Sequence, residues 1–138
     1  MPAKDIFHNC VKVALIKDGW NVSHDLYSLK IGKKDLFIDL GAEKLIAAEK
    51  DSTKIAVEIK SFVSPSEIQD LENALGQYVL YQNVLQRIDP NRTLHLAIRE
   101  SVFHKLFEQE VGQILLENKV LKLLTFNPET EVITKWIG

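Results

Sequence analysis

The chain has 138 residues, 46% hydrophobic and 26% charged, which suits one compact domain spanning 1–138 and leaves little room for a second. Its formal charge of −2 argues against a protein that binds nucleic acid through bulk basicity, and between residues 30 and 60 the lysines outnumber the acids by only seven to six. Cys10 is the single cysteine, so an internal disulfide and a one-chain thiolate cluster are both excluded. No apolar run approaches the ~20 residues needed to cross a bilayer, and MPAKDIFHN lacks the layout of a secretory signal; a soluble, cytoplasmic protein with no membrane partner is expected.

Residues 3–18 set Phe7, Cys10, Val11, Ala14 and Leu15 on one helical stripe, with Gly19 as the stop. Trp20 to Leu29 reads as extended, Gly32 between lysines as a turn, and LFIDL as a strand. EKLIAAEKDSTKIAVEIKS, residues 43–61, reads as two strands joined through KDST. SPSEIQDLENALGQYVLYQNVLQ then opens a long helix, with Ser64 as cap, Pro65 at the first position and Glu67 at the third. Its core stripe is expected to be Ile68, Leu71, Leu75, Tyr78, Val79 and Gln82, and it should end near Arg87, before Asp89 and Pro90. TLHLAIR is a strand, Ser101 a cap for VFHKLFEQ, 110–118 a short helix, and VLKLLTF with EVITKWI a hairpin around NPET. The succession predicts an α/β fold, a mixed sheet covered by helices.

In KIAVEIKS two charges interrupt a run that otherwise favours burial. Strand alternation puts Ile55, Val57 and Ile59 on one side and Ala56, Glu58 and Lys60 on the other, so the charges point the same way. Asp39 closes the apolar run LFIDL, 19 positions before Glu58. Two carboxylates from neighbouring strands, with the Ile59 carbonyl and waters, make the oxygen-rich setting that Mg²⁺ or Mn²⁺ prefers. A lysine beside such a cation can orient water and offset charge on a phosphate. The plainer alternatives are an exposed Glu58–Lys60 pair worth ~0–1 kcal/mol and a turn-forming Asp39 before Gly41. His24, His95 and His104 lack a partner at zinc-ligand spacing.

Asp39 followed by Glu58-Ile59-Lys60 resembles the core motif of the PD-(D/E)XK nuclease superfamily, although Ile38 stands where the motif has proline. Over nearly the whole chain, the runs KDIFHNCVKVALIKDGW, IDLGAEKLIAAEK, IAVEIKSF and ALGQYVLYQNVL resemble the XisH family, cyanobacterial controlling factors for fdxN element excision during heterocyst differentiation. The resemblance implies a restriction-endonuclease-like core and a role in DNA rearrangement beside a site-specific recombinase, with a companion called XisI. It also implies Asp39, Glu58 and Lys60 as catalytic residues, a divalent metal (Mg²⁺ or Mn²⁺) on Asp39, Glu58 and Ile59, and Gln77 as the supporting polar residue of the following helix. Tyr81 shares the Gln77 face, with Asp70 and Asn73 on roughly the same stripe. Superfamily members often carry an acid on the first helix, and either Asp5 or His8 could face the site from there.

The reading that follows is a DNA-processing factor with an endonuclease-like, Mg²⁺-dependent site. Its rival is a catalytically inactive module that acts through a partner protein; a third possibility is a mobile-element nuclease restrained by its companion. Weak DNA affinity alone argues for a second subunit. The superfamily resemblance implies a homodimer, with the apolar C-terminal hairpin and Trp136 as the expected interface.

Overall fold

The computed structural model describes residues 4–45 and 52–138. Chain order gives α1 (His8–Lys17), β1 (Asn21–His24), β2 (Tyr27–Ile31), β3 (Lys34–Ile38), β4 (Leu40–Leu45), β5 (Ser52–Ile59), α2 (Glu67–Ile88) and β6 (Arg92–Arg99). A short α3 (Glu100–Val102) runs into a π-helical turn (Phe103–Phe107), followed by α4 (Glu110–Glu117), β7 (Leu123–Asn127) and β8 (Val132–Ile137). Six strands form a mixed sheet in the order β1-β4-β5-β6-β7-β8, and β2 and β3 form a separate two-stranded hairpin. The β5–β6 and β6–β7 pairs are parallel, and the other pairs are antiparallel.

The parallel β5–β6 pair needs a crossover, and α2 supplies it. Central strands covered on both faces read as continuous apolar runs, which is why IAV and LAI carry so little polarity. One face packs Ile55, Val57 and Ile59 of β5 against Val11 and Leu15 of α1. The other packs Ala56 of β5 and Leu94, Leu96 and Ile98 of β6 against Leu71, Ala74, Tyr78 and Leu85 of α2. The alternation along β5 is as expected, and it turns Glu58 toward the α2 side.

At the chain reversal between α2 and β6, Arg92 donates to the carbonyls of Ile55 (2.9 Å) and Ala42 (3.4 Å) and pairs with Asp89 at 2.9 Å. Its guanidinium also lies 4.8 Å from the Tyr27 ring centre, and Tyr27 donates to Asp89 at 2.7 Å. The β2–β3 hairpin is thereby tied to the sheet. Gly32 takes φ 58° at the first of its two turn positions, where a side chain would be strained.

Three local expectations need correction. The α2 cap is Ser66, whose hydroxyl accepts from the Gln69 amide at 3.2 Å, and Pro65 lies before the helix. Ser64 instead joins the approach: its hydroxyl donates to the Ser66 carbonyl, and its amide donates to Asp70, which reaches back from the first turn. Ile68 and Val79 are exposed, and the buried stripe is Leu71, Ala74, Tyr78 and Leu85, so the face against the sheet is rotated from the expected stripe while keeping Leu71 and Tyr78. Ser101 lies inside α3, whose cap position is Arg99. Of the KDST connection, Ser52 and Thr53 belong to β5, while Lys50 and Asp51 lie outside the described residues.

The cap assignment can be measured. Ser66→Ala should lower unfolding free energy in urea by about 1 kcal/mol, and Ser64→Ala by less, since Ser64 satisfies no amide of the helix itself.

Candidate active site

The β4–β5 ladder starts with Leu40 opposite Val57. Just before it, the chain passes from the β2–β3 hairpin into the large sheet through one residue, Asp39. In place of a backbone partner, its Oδ2 accepts from the Ile59 amide at 2.7 Å. This bond sets Asp39 beside Glu58, which is 5% exposed. Lys60 Nζ lies 3.6 Å from Glu58 Oε2. Together they line a cleft of about 200 Å³ with Lys4, Asp5, Phe37, Ile59, Gln77 and Tyr81. Every residue that the sequence proposed for the site (Asp39, Glu58, Ile59, Lys60 and Gln77) therefore borders one cavity.

Of the two N-terminal candidates, Asp5, just before α1, lines the cleft, whereas His8, the first residue of α1, lies behind Asp39 and is not part of the lining. Asp5 Oδ1 accepts from the Phe7 amide at 2.9 Å and its Oδ2 from the Ser61 amide at 3.1 Å, so the carboxylate ties the start of α1 to the chain just after Lys60. His8 is buried, with Nε2 2.6 Å from Asp25 Oδ1 and Nδ1 3.9 Å from Asp39 Oδ1. Asp25 is steadied by Lys12 at 2.8 Å. Burial alone would raise the Asp25 carboxyl, but its bonds to Lys12 and His8 outweigh that and hold it below the usual range. Asp70 and Asn73 border a neighbouring cavity of about 250 Å³ that shares Asp5 and Lys60 with the first.

Sequence reasoning missed Asp25, Lys12 and Arg99. Arg99 Nη2 donates to the Ser61 carbonyl at 2.8 Å and to that of Phe62 at 3.4 Å. Phe62 holds φ 52°, unusual for a bulky residue, and its buried ring anchors that bend. No spacing rule signals such clamps, because each joins segments far apart in the chain.

Burial, then the Asp39 charge, pushes the Glu58 carboxyl up to about 8, against the opposing pull of Lys60. Asp39 is also raised by burial, with the Ile59 amide as the main opposing influence. Burial raises the Tyr81 hydroxyl as well, and the charges of Glu58 and Asp39 add to it. Burial of Glu58 and partial burial of Asp39, side by side, make it costly for both to be charged at once. Glu58 Oε1 and Gln77 Oε1 are buried oxygens with no hydrogen-bond partner among the described residues. Unpaired buried acceptors that face a cleft fit a hard cation, which would occupy lone pairs that nothing else satisfies. Among the described residues no three His, Cys, Asp or Glu side chains converge as a metal set. Two carboxylates plus amide and backbone oxygens suit Mg²⁺ or Mn²⁺, which retains waters, better than Zn²⁺. The other histidines lie elsewhere: burial drives His95 down to about 4, and His104 pairs with Glu100 and Glu108 on the surface.

A carboxyl raised by folding binds a proton that the unfolded chain releases near 4.5, so its stabilisation is complete below that pH and lost as pH rises through about 8. Wild-type stability should accordingly fall across that window by up to about 1.4 kcal/mol per pH unit. Glu58→Gln should flatten the slope and exceed wild type in Tm at the alkaline end. Thermal unfolding across pH checks both; parallel profiles for the two proteins would contradict the assignment.

The comparison with curated proteins returned no match. The sequence model of the XisH family, described as XisH protein, matches residues 1–134. An XisH family protein from Nostoc punctiforme PCC 73102 has a similar crystal structure, with TM-score 0.86 and 36% identity over 97% of this chain and 100% of that one. An fdxN element excision controlling factor protein from Anabaena variabilis is similar at TM-score 0.84 and 36% identity, over 98% of this chain and 100% of that one. With matches of this extent, the chain belongs to the XisH family.

Proposed function

We propose that the protein is a DNA-processing factor that takes part in controlling excision of a DNA element, and that its cleft is a divalent-cation-dependent endonuclease site. The observation that carries this reading is the adjacent carboxyls of buried Glu58 and half-buried Asp39, with Lys60 beside them, lining one cavity. The strand arrangement supports a restriction-endonuclease-like core: antiparallel strands bear the acids, and a helix crosses to a parallel strand. The name of the Anabaena relative supports the biological setting.

Asp39, Glu58, the Ile59 carbonyl and Gln77 Oε1 would hold Mg²⁺ or Mn²⁺. Such a cation lowers the pKa of bound water and offsets charge developing on a phosphate. The protein's part is positional. Asp39 is fixed by the Ile59 amide and flanked by His8, so it offers Oδ1 without reorganisation. Glu58 must lose its proton to serve as a ligand, so cation affinity should rise with pH. Lys60, with Nζ near Glu58 Oε2, can orient the attacking water and donate to a phosphate oxygen.

A second reading is favoured by charge. The cleft has three acids against two lysines and the chain is net negative, a poor setting for DNA unless a cation or another protein offsets it. In that reading the protein is a catalytically inactive regulatory module that works through a partner, of which an XisI-like companion is the expected case.

Plasmid and branched DNA should be incubated with Mg²⁺ or Mn²⁺, with and without that companion. Cleavage by wild type is expected to fall roughly 100-fold or more in Glu58→Gln, Asp39→Asn and Lys60→Ala. Independently of turnover, Mn²⁺ should raise the wild-type Tm more at pH values above the Glu58 range than below it, and should leave Glu58→Gln unmoved. Absence of both cleavage and the cation-induced shift would replace the nuclease reading with the regulatory one.

A further inference from the structure

Residues 73–86 of α2, NALGQYVLYQNVLQ, contain no charged side chain in a chain that is 26% charged. Burial accounts for only one side of that stretch, the side bearing Ala74, Tyr78 and Leu85. On the other, Val79 is 49% and Leu80 50% exposed. Space above Gly76 is open, since a Cβ added there would meet nothing within 4 Å. Solvated helix faces ordinarily carry charge, whereas the cores of protein interfaces are depleted of it. The charges of α2 bracket the bare stretch: Glu67, Asp70 and Glu72 come before it, and Arg87 after it.

We propose that this face docks antiparallel on α2 of a second copy of the chain, about a two-fold axis at the helix midpoint between Gln77 and Tyr78. The helix has 22 residues and is about 33 Å long. Its sequence is complementary to itself about that point. Equal offsets from the axis set Gly76 against Val79 of the partner subunit, so a branched side chain enters the open space. They likewise set Leu75 against Leu80 of the partner subunit. Arg87 falls opposite Ile68 of the partner subunit, one turn from its Glu72, so the lone cation of one helix meets the acidic end of the other. Each contact occurs twice, as an isologous interface requires. A different protein would need complementarity to this face, but it would not require the face to match its own reverse.

The inference stands apart from the nuclease reading and is tested on the purified full-length chain. Sedimentation equilibrium over a wide concentration range should give a dimer. Val79→Glu with Leu80→Glu should raise its dissociation constant at least ~30-fold with the circular dichroism of wild type. As a second measurement, a Gly76→Cys copy mixed with a Val79→Cys copy, each also carrying Cys10→Ser, should form a covalent dimer on mild oxidation. A chain that stays monomeric at every concentration, including one that binds only some other protein through α2, would overturn the proposal. So would a dimer that survives the glutamates, or one abolished instead by Trp136→Glu.

Discussion

The bond from the Ile59 amide to Asp39 Oδ2 is the point on which the rest of the architecture turns. The chain leaves a small hairpin and enters the six-stranded sheet at Asp39, and no backbone group is available there to continue the ladder. A carboxylate supplies the missing acceptor. In doing so it is drawn in beside a second carboxyl on the next strand, where water that would ordinarily solvate both is largely excluded. Structural need and chemical potential are thus met by one side chain: what closes the sheet also assembles the acid pair.

The surroundings of that pair follow from the need to keep it from relaxing. Asp5 holds the amide of Ser61 and Arg99 its carbonyl, so Lys60 is held at the cleft by the backbone on its C-terminal side. His8 stands between Asp25 and Asp39, linking the first helix to the acids. These contacts come from α1 and the segment before it, the β1–β2 connection and the end of β6, which are far apart in the chain and are brought together by the sheet.

That dependence explains what was legible in the sequence. Alternation in IAVEIK gave the direction of Glu58, because a strand has no other way to present its side chains. The spacing of Asp39 from Glu58-Ile59-Lys60, with the family resemblance, identified the residues that border the cleft, and helical position brought Gln77 and Tyr81 to it. The Ser66 cap was missed because Ser64-Pro65 offers an equally good local signal, and only the approach of the loop decides between them. The expected stripe on α2 failed for a related reason: Ile68 and Val79 are apolar but are not what the sheet covers, so hydrophobicity and burial part company there. Asp25 and Arg99 act through long-range contacts, which leave no periodic trace. The turn at Gly32 between two extended segments was legible, but the separation of the β2–β3 pair from the six-stranded sheet was not, since extended segments do not announce which sheet they will join.

Tyr78 gives this arrangement a mechanical property. Its hydroxyl donates to the Leu94 carbonyl at 2.9 Å and accepts from the Lys122 amide at 3.1 Å, bridging β6 and the approach to β7 just before their own ladder begins. A helix packed only by apolar contacts can roll about its axis by small steps, because such contacts are non-directional. Two directed bonds from the middle of α2 act as a key in a shaft and fix its azimuth. Gln77 on one flank and Val79 on the other cannot then turn independently. A torque applied at the outer surface of α2 would be taken up by the sheet at Leu94 and Lys122, and Gln77 would keep its place in the wall of the cleft.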